Sequence, residues 1–287
     1  MVRSMTTDLS LPLIGIVLLT ALMHASWNAM VRAGDDRLNT LAVMTGATAL
    51  MALPLAPFVP LPTPGTWAIL AATLVLHTGY KLFLVRAYSH GDLGHVYPIA
   101  RGAAPILVAL AAFLFVGEVL SLPAILGLLL VTGGIMSLAW RRRNGTDDER
   151  KATLYALATA GFIASYTVID GLGGRAAPTP FTYVVWLFIL DGAVFFAIGL
   201  WRRGWRSMKA TRAIGVTAFG GAALQMVAYA LVIWAMSIAP LGPISALRET
   251  SVIFAAFLSA YMLKEPVGRL GFAAAAAVAI GVMLIRF

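Results

Sequence analysis

The chain contains no cysteine, so neither disulfides nor thiolate metal ligands can take part in its structure or chemistry. Charge is scarce too. Of 287 residues, 11% are charged and 60% are hydrophobic, whereas a soluble domain carries about 25% charged residues. So little polar surface cannot cover a water-soluble body. Signatures of catalysis are missing as well. There is no Walker P-loop, no Gly-x-Ser-x-Gly and no Gly-x-Gly-Asp, and Asp170 and Asp191 are the only candidates for an intramembrane aspartyl pair. His24, His77, His90 and His95 show no zinc-ligand spacing. The sequence therefore predicts no enzyme, no cofactor and no metal site.

What it has instead is long apolar runs. A helix crossing the hydrocarbon core needs about 20 mainly apolar residues. Ten runs qualify: 12–32, 38–58, 66–88, 94–116, 123–140, 152–172, 180–201, 213–236, 242–262 and 268–286. The first is longer than the core of a secretory signal and has only Arg3 before it among basic residues, so it reads as the first span. The expected fold is an all-α membrane protein with ten transmembrane helices. Its expected surroundings are lipid, and its expected state is a monomer or weak homo-oligomer.

A net charge of +9 could suggest nucleic acid, but the positions of the charges point to membrane topology. Arg32 and the linkers after the odd-numbered spans hold fourteen basic residues, the opposite side holds three (Arg3, Arg175, Arg286), and the other four lie inside spans. The basic side is expected to be cytoplasmic, with both termini periplasmic if the membrane is a bacterial inner membrane.

The chain also repeats itself. "AYSHGDLGHVYPIARGAAPILVALAAFLFVGE" (87–118) aligns with "AMSIAPLGPISALRETSVIFAAFLSAYMLKE" (235–265), pairing Arg101 with Arg248 and Glu118 with Glu265. "ASWN" (25–28) echoes "ASYT" (164–167). Two five-span halves follow, 1–143 and 152–287, joined by a polar linker, 144–151. Five is odd, so the second half enters from the opposite side. Such inverted repeats place a substrate site near the bilayer midplane, between the halves.

These residues resemble a known family. "ALMHASWNAMVRAG", "YKLFLVRAYSHGDLGHVYPIARGAAPILVALAAFLFVGEVLS" and the second copy ending "FAAFLSAYMLKEP" are similar to the drug/metabolite transporter superfamily of the ten-span, EamA-domain type. Within it they look most like bacterial amino-acid exporters, including those for aromatic amino acids. The resemblance covers essentially the whole chain. It implies a basket of helices 1, 3, 4, 6, 8 and 9 around a central cavity, with helices 2 and 7 flanking it and 5 and 10 behind. It implies no ATP hydrolysis. Many relatives are drawn with cytoplasmic termini, and the arginines of this chain argue the reverse.

Residues three and four apart share a helix face. His24, Trp27 and Asn28 do so in the first span, and His77, Tyr80 and Lys81 in the third. Tyr97 and Arg101, Tyr166, Gln225 and Tyr229, and Ser245, Arg248 and Glu249 lie on the fourth, sixth, eighth and ninth. Ionisable groups inside a membrane face protein or water, not lipid. An amino acid needs a cation for its carboxylate and an acceptor for its ammonium. Arginine binds carboxylate bidentately, and aromatic rings hold ammonium groups or stack on aromatic side chains. Lys81, Arg101 and Arg248 are the carboxylate candidates and Glu249 the ammonium candidate. Trp27, Tyr80, Tyr97, Tyr166 and Tyr229 are wall candidates, and His24, Asn28, His77 and Gln225 complete the substrate-binding set.

Each of these also has a plainer reading. Arg248 and Glu249 are consecutive and point about 100° apart, which makes them poor partners for each other, although each can pair with another helix. Lys81 can snorkel, and the aromatic and histidine residues can be packing or interface anchors. Asp191, central in span seven, either pairs with a base such as Lys81 or takes a proton as part of coupling. Asp170 reads as a helix-end residue, and Glu118 and Glu265 as local capping or salt-bridge residues. Pro98, Pro105, Pro240 and Pro243 mark bends, and Ala273, Ala277 and Gly281 mark a close helix contact. Three buried bases against two acids favour substrates with a carboxylate. The expected function is a secondary amino-acid exporter working by alternating access, and the alternative is export of other small metabolites or drugs.

Overall fold

The computed structural model describes residues 9–32, 37–91, 93–140, 146–210, 215–263 and 268–287, with the side chains at 29–32, 37, 93, 140, 206–210, 215–217 and 258–263 excluded. Among them every regular element is helical. In chain order these are α1 (Leu11–Arg32), α2 (Arg37–Ala52), α3 (Pro64–His90), α4 (Leu93–Ala111), α5 (Leu122–Trp140), α6 (Asp147–Ala176), α7 (Pro180–Ala210), α8 (Gly215–Ile238), α9 (Leu241–Glu249), α10 (Ser251–Leu263) and α11 (Arg269–Ile285).

Among the described residues, eight helical stretches are long and apolar enough to cross a bilayer, one for each of the first eight predicted runs. The ninth run is divided at Thr250, whose hydroxyl folds back onto the Leu247 carbonyl at 2.7 Å. That local bond competes with the helical ladder. The tenth run is α11, with 17 residues. Two local signals explain other boundaries. Pro54 and Pro57 convert the end of the second run into a 3-10 turn, Leu53–Phe58. Residues 147–151, placed in the linker from sequence, form the first turn of α6, because Thr146 Oγ1 accepts the Glu149 N–H at 3.2 Å and Asp147, Asp148 and Glu149 sit at the positive end of the helix dipole.

The helices of the two halves interdigitate. α2 packs on α7, α5 on α11, α3 on α6, α1 on α8, and α4 on α9. Counting α9 and α10 as one ninth element, exchanging the halves maps these pairs onto themselves. Three-with-six becomes eight-with-one, and the other pairs are unchanged. The burial pattern is inverted relative to a soluble protein. Leu19, Val75, Leu110, Phe113, Leu126 and Leu154 face outward, while Lys81, Arg101, Asp170, Asp191, Arg248 and Glu249 are buried. Nonpolar side chains on the outside and charges within suit a lipid surround.

Small residues set the helix spacing. A Cβ on Gly127 would lie 2.5 Å from the Gly281 carbonyl, and one on Gly281 would lie 2.6 Å from the Gly127 carbonyl. On α11 the contact face runs through Ala274, Val278, Gly281 and Ile285, all buried. Ala273, expected on that face, is exposed, so the sequence reading was one residue out of register at its first position.

One tie joins four chain segments at one end of the bundle. Glu118 follows a π-helical turn, Ala112–Val116, and Gly117 in the left-handed conformation (φ 75°). Its Oε1 accepts Arg175 Nη2 at 2.8 Å and its Oε2 accepts the Leu241 N–H at 2.7 Å, at the start of α9. Arg175 also donates to the carbonyls of Met236 and Ala239, at 2.9 and 3.0 Å. Glu118 thus caps and bridges as expected, but to the other half and not locally. Glu265 lies outside the described residues.

Replacing Gly281 with leucine should force α5 and α11 apart. Overpacking of this kind costs about 1–3 kcal/mol, so the Gly281→Leu protein should unfold at a lower temperature in detergent, and an unchanged midpoint would show that the contact is not tight.

Candidate functional site

α1, α3, α4, α6, α7, α8 and α9 enclose a cavity with about 680 Å³ of empty space, counting its open mouth. Of the predicted site residues, His24, Trp27, His77, Tyr80, Lys81, Arg101, Tyr166, Gln225, Tyr229, Arg248 and Asp191 line it. Three others do not. The Asn28 amide donates back to the His24 carbonyl at 2.8 Å, within its own helix. Tyr97 stands behind Arg101, its ring centroid 6.0 Å from the guanidinium carbon. Glu249 is fully buried beneath the arginines. α7, which the resemblance makes a flanking helix, contributes Leu187, Phe188 and Asp191 to the wall.

The charged groups fall into two clusters. In the first, Arg101 Nε lies 2.6 Å from Glu249 Oε2, and Arg248 donates from Nε and Nη2 to Glu249 Oε1 at 3.2 and 3.1 Å. Consecutive residues therefore do pair, because the long arginine side chain folds back across the 100° that separates them. Arg248 Nη2 also donates to Thr167 Oγ1 at 3.2 Å. Arg101 Nη2 lies 2.9 Å from His24 Nε2. Arginine cannot accept, so His24 Nε2 is the acceptor and its ring proton sits on Nδ1. Two guanidiniums share one carboxylate, which leaves one surplus positive charge. Among the described residues both Nη1 groups make no bond.

In the second cluster Lys81 Nζ donates to both oxygens of Asp191, at 2.9 and 2.7 Å, and sits 4.4 Å from the Phe195 ring centroid. Lys81 is buried, so the snorkelling reading is set aside and the pairing reading of Asp191 holds. His77 stands between two acids. Its Nε2 is 3.1 Å from Asp170 Oδ2 and its Nδ1 3.6 Å from Asp191 Oδ1.

Asp170 is the main correction. It is no helix-end residue. α6 runs on to Ala176, and Asp170 is completely buried. Its Oδ1 accepts the hydroxyls of Thr73 and Tyr183 at 2.8 and 2.7 Å, and its Oδ2 accepts Tyr229. A carboxylate at this depth is stable because its lone pairs are filled. With Asp170 counted, the buried acids number three against three fixed bases, so the surplus of bases read from sequence disappears. Polarity is local instead. Aromatic edges close the walls, with His77 4.5 Å from Tyr166, Tyr80 5.5 Å from Tyr166, and His24 4.8 Å from Trp27, centroid to centroid. Sequence reasoning missed Thr20, Thr73, Thr167, Tyr183 and Phe188, and hydroxyls and phenyl rings in apolar runs carry no signal that would single them out.

Asp170→Ala would strand three hydroxyls and a histidine N–H in the interior. Removing a hub of this kind costs about 3–5 kcal/mol, whereas Tyr183→Phe removes one charge-assisted bond worth about 1.5–3 kcal/mol. Thermal unfolding in detergent should rank the variants in that order, and equal losses would contradict the hub.

Among curated proteins no match was found. A solved structure, described as "Crystal structure of protein", matches with a TM-score of 0.69 at 15% identity, covering 95% of this chain and 94% of that one. At that identity the likeness shows the shared fold. The model of the EamA-like transporter family matches the chain twice, over residues 11–140 and 150–287, and so takes in nearly all of this multi-pass membrane protein. The chain belongs to the EamA-like transporter family.

Proposed function

We propose that this transporter exports amino acids, aromatic ones included, by alternating access around the cavity described above. In this reading the spans number ten, the halves 1–143 and 152–287 are inversely inserted around the linker 144–151, and the membrane is a bacterial inner membrane. The basic loops face the cytoplasm and the termini the periplasm.

The observation that carries the reading is the separation of charge into two clusters that reach the same cavity. The Arg101–Arg248–Glu249 cluster has a surplus positive charge and unbonded Nη1 groups, which suit a carboxylate. Asp191, which lines the cavity and shares its oxygens with Lys81, offers acceptors for an ammonium. Trp27, Tyr80, Tyr166 and Phe188 supply apolar and aromatic surface for a side chain. A zwitterion fits such a pair of poles, because each of its charges replaces water with a fixed partner.

The equal number of acids and bases keeps one alternative open, export of other small metabolites or cationic drugs. Purified protein in liposomes distinguishes the two. Uptake should be found in a screen of the twenty amino acids and should be poorly competed by organic cations. Transport of cations alone would replace this reading with the alternative. Arg248→Ala should reduce amino-acid transport between tenfold and a hundredfold, which corresponds to losing about 1.5–3 kcal/mol of charge-assisted bonding, while the protein still purifies folded. Unchanged transport would remove Arg248 from the site.

A further inference from the structure

The second charge cluster is unbalanced as it stands. Asp170 and Asp191 are two buried carboxylates, and among the described residues Lys81, paired with Asp191, is the fixed cation that touches either of them. His77 bridges both acids. Facing it are Asp170 and Tyr166 from α6, Asp191 from α7, Tyr229 from α8, and Lys81 one turn along its own helix. Arg101 and Arg248 line the same cavity and share Glu249, and among the described residues neither makes an ion pair or hydrogen bond to Asp170 or Asp191, so their surplus charge lies outside this cluster. An uncompensated charge at bilayer depth is strongly disfavoured. The cluster becomes neutral when one further positive charge enters it, and the cavity offers two sources: a proton on His77 or the ammonium of a solute at Asp191.

We propose that His77 carries an exchangeable proton that leaves when a substrate's ammonium group binds beside Asp191, so that one proton is exchanged for each amino acid exported. This rests on the amino-acid reading above and adds its coupling. In the loaded state the ammonium and Lys81 neutralise the two acids, and the His77 Nδ1 proton passes to water in the open cavity. Nε2–H stays on Asp170. After the solute leaves on the far side, a proton from that side returns to Nδ1. Protons thus run inward as the solute runs outward. The acids belong to α6 and α7 and the bases to α3, so each exchange also changes the attraction between the two halves. That is the requirement for coupling occupancy to motion.

The test uses proteoliposomes containing a trapped pH dye, with a mixture of the twenty amino acids added outside. In the wild type the interior should become alkaline, at about one proton out per amino acid in. His77→Gln should bring that ratio to near zero whatever its flux. If His77→Gln does not fold, His77→Asn serves, since its side-chain amide likewise takes up no proton. Wild-type flux without proton movement, or an unchanged ratio in the variants, would overturn the proposal. Nitrogen NMR of histidine-labelled protein at neutral pH, with His77 assigned by its loss in His77→Gln, needs no substrate. Two protonated ring nitrogens support the proposal and a neutral ring overturns it. If no amino acid enters but that ring is doubly protonated, the amino-acid reading fails and the proton site stands.

Discussion

Charge that is buried at bilayer depth must be matched there, and in this protein nearly all of the matching crosses between the two halves of the chain. Lys81 meets Asp191, His77 meets Asp170, Arg101 meets Glu249, and Glu118 meets Arg175. Among the described buried pairs, Arg248 with Glu249 is the one formed within one half. Lipid gives helices no hydrophobic reason to associate. Small-residue contacts such as Gly127 with Gly281 bring backbones close, and the ion pairs specify which helix faces which. A buried pair is costly to break by removing one member. It is less costly to exchange, because an incoming charge of the right sign can take over a partner.

That exchangeability links the architecture to transport. A sealed protein core would fill this space with aliphatic side chains. Here the space is lined by three cations, a carboxylate, two histidines and several aromatic rings. The arginine cluster is held from beneath by Glu249 and Thr167 and steadied by His24, so its direction is fixed before a ligand arrives. The aspartate cluster is held from behind by Thr73, Tyr183 and Tyr229. Both clusters therefore reach the cavity with their protein partners already in place.

Much of this was legible in the sequence. The apolar runs gave the helices, because a span must satisfy its own backbone in lipid. The scarce ionisable residues within those runs identified the cavity, since there is nowhere else for them to face. Asp170 was misread for a reason that can be stated. The run 152–172 seemed to end beside it, but the glycines and Arg175 that follow remain helical to Ala176, which moves Asp170 inward. Its partners come from α3, α7 and α8, and no spacing in the chain announces an encounter across 97 or 93 residues. The Arg248–Glu249 contact was discounted from backbone angles alone, and arginine's reach outweighs that geometry. The division at Thr250 depends on a hydroxyl choosing the Leu247 carbonyl, which composition does not reveal.

The most direct measurement is a high-resolution structure of the protein in lipid nanodiscs with a bound amino acid. The account predicts the solute inside the cavity, its carboxylate within hydrogen-bond distance of Arg248 or Arg101 and its ammonium beside Asp191. A solute bound away from both clusters, or a cavity that stays empty at saturating amino acid, would contradict it.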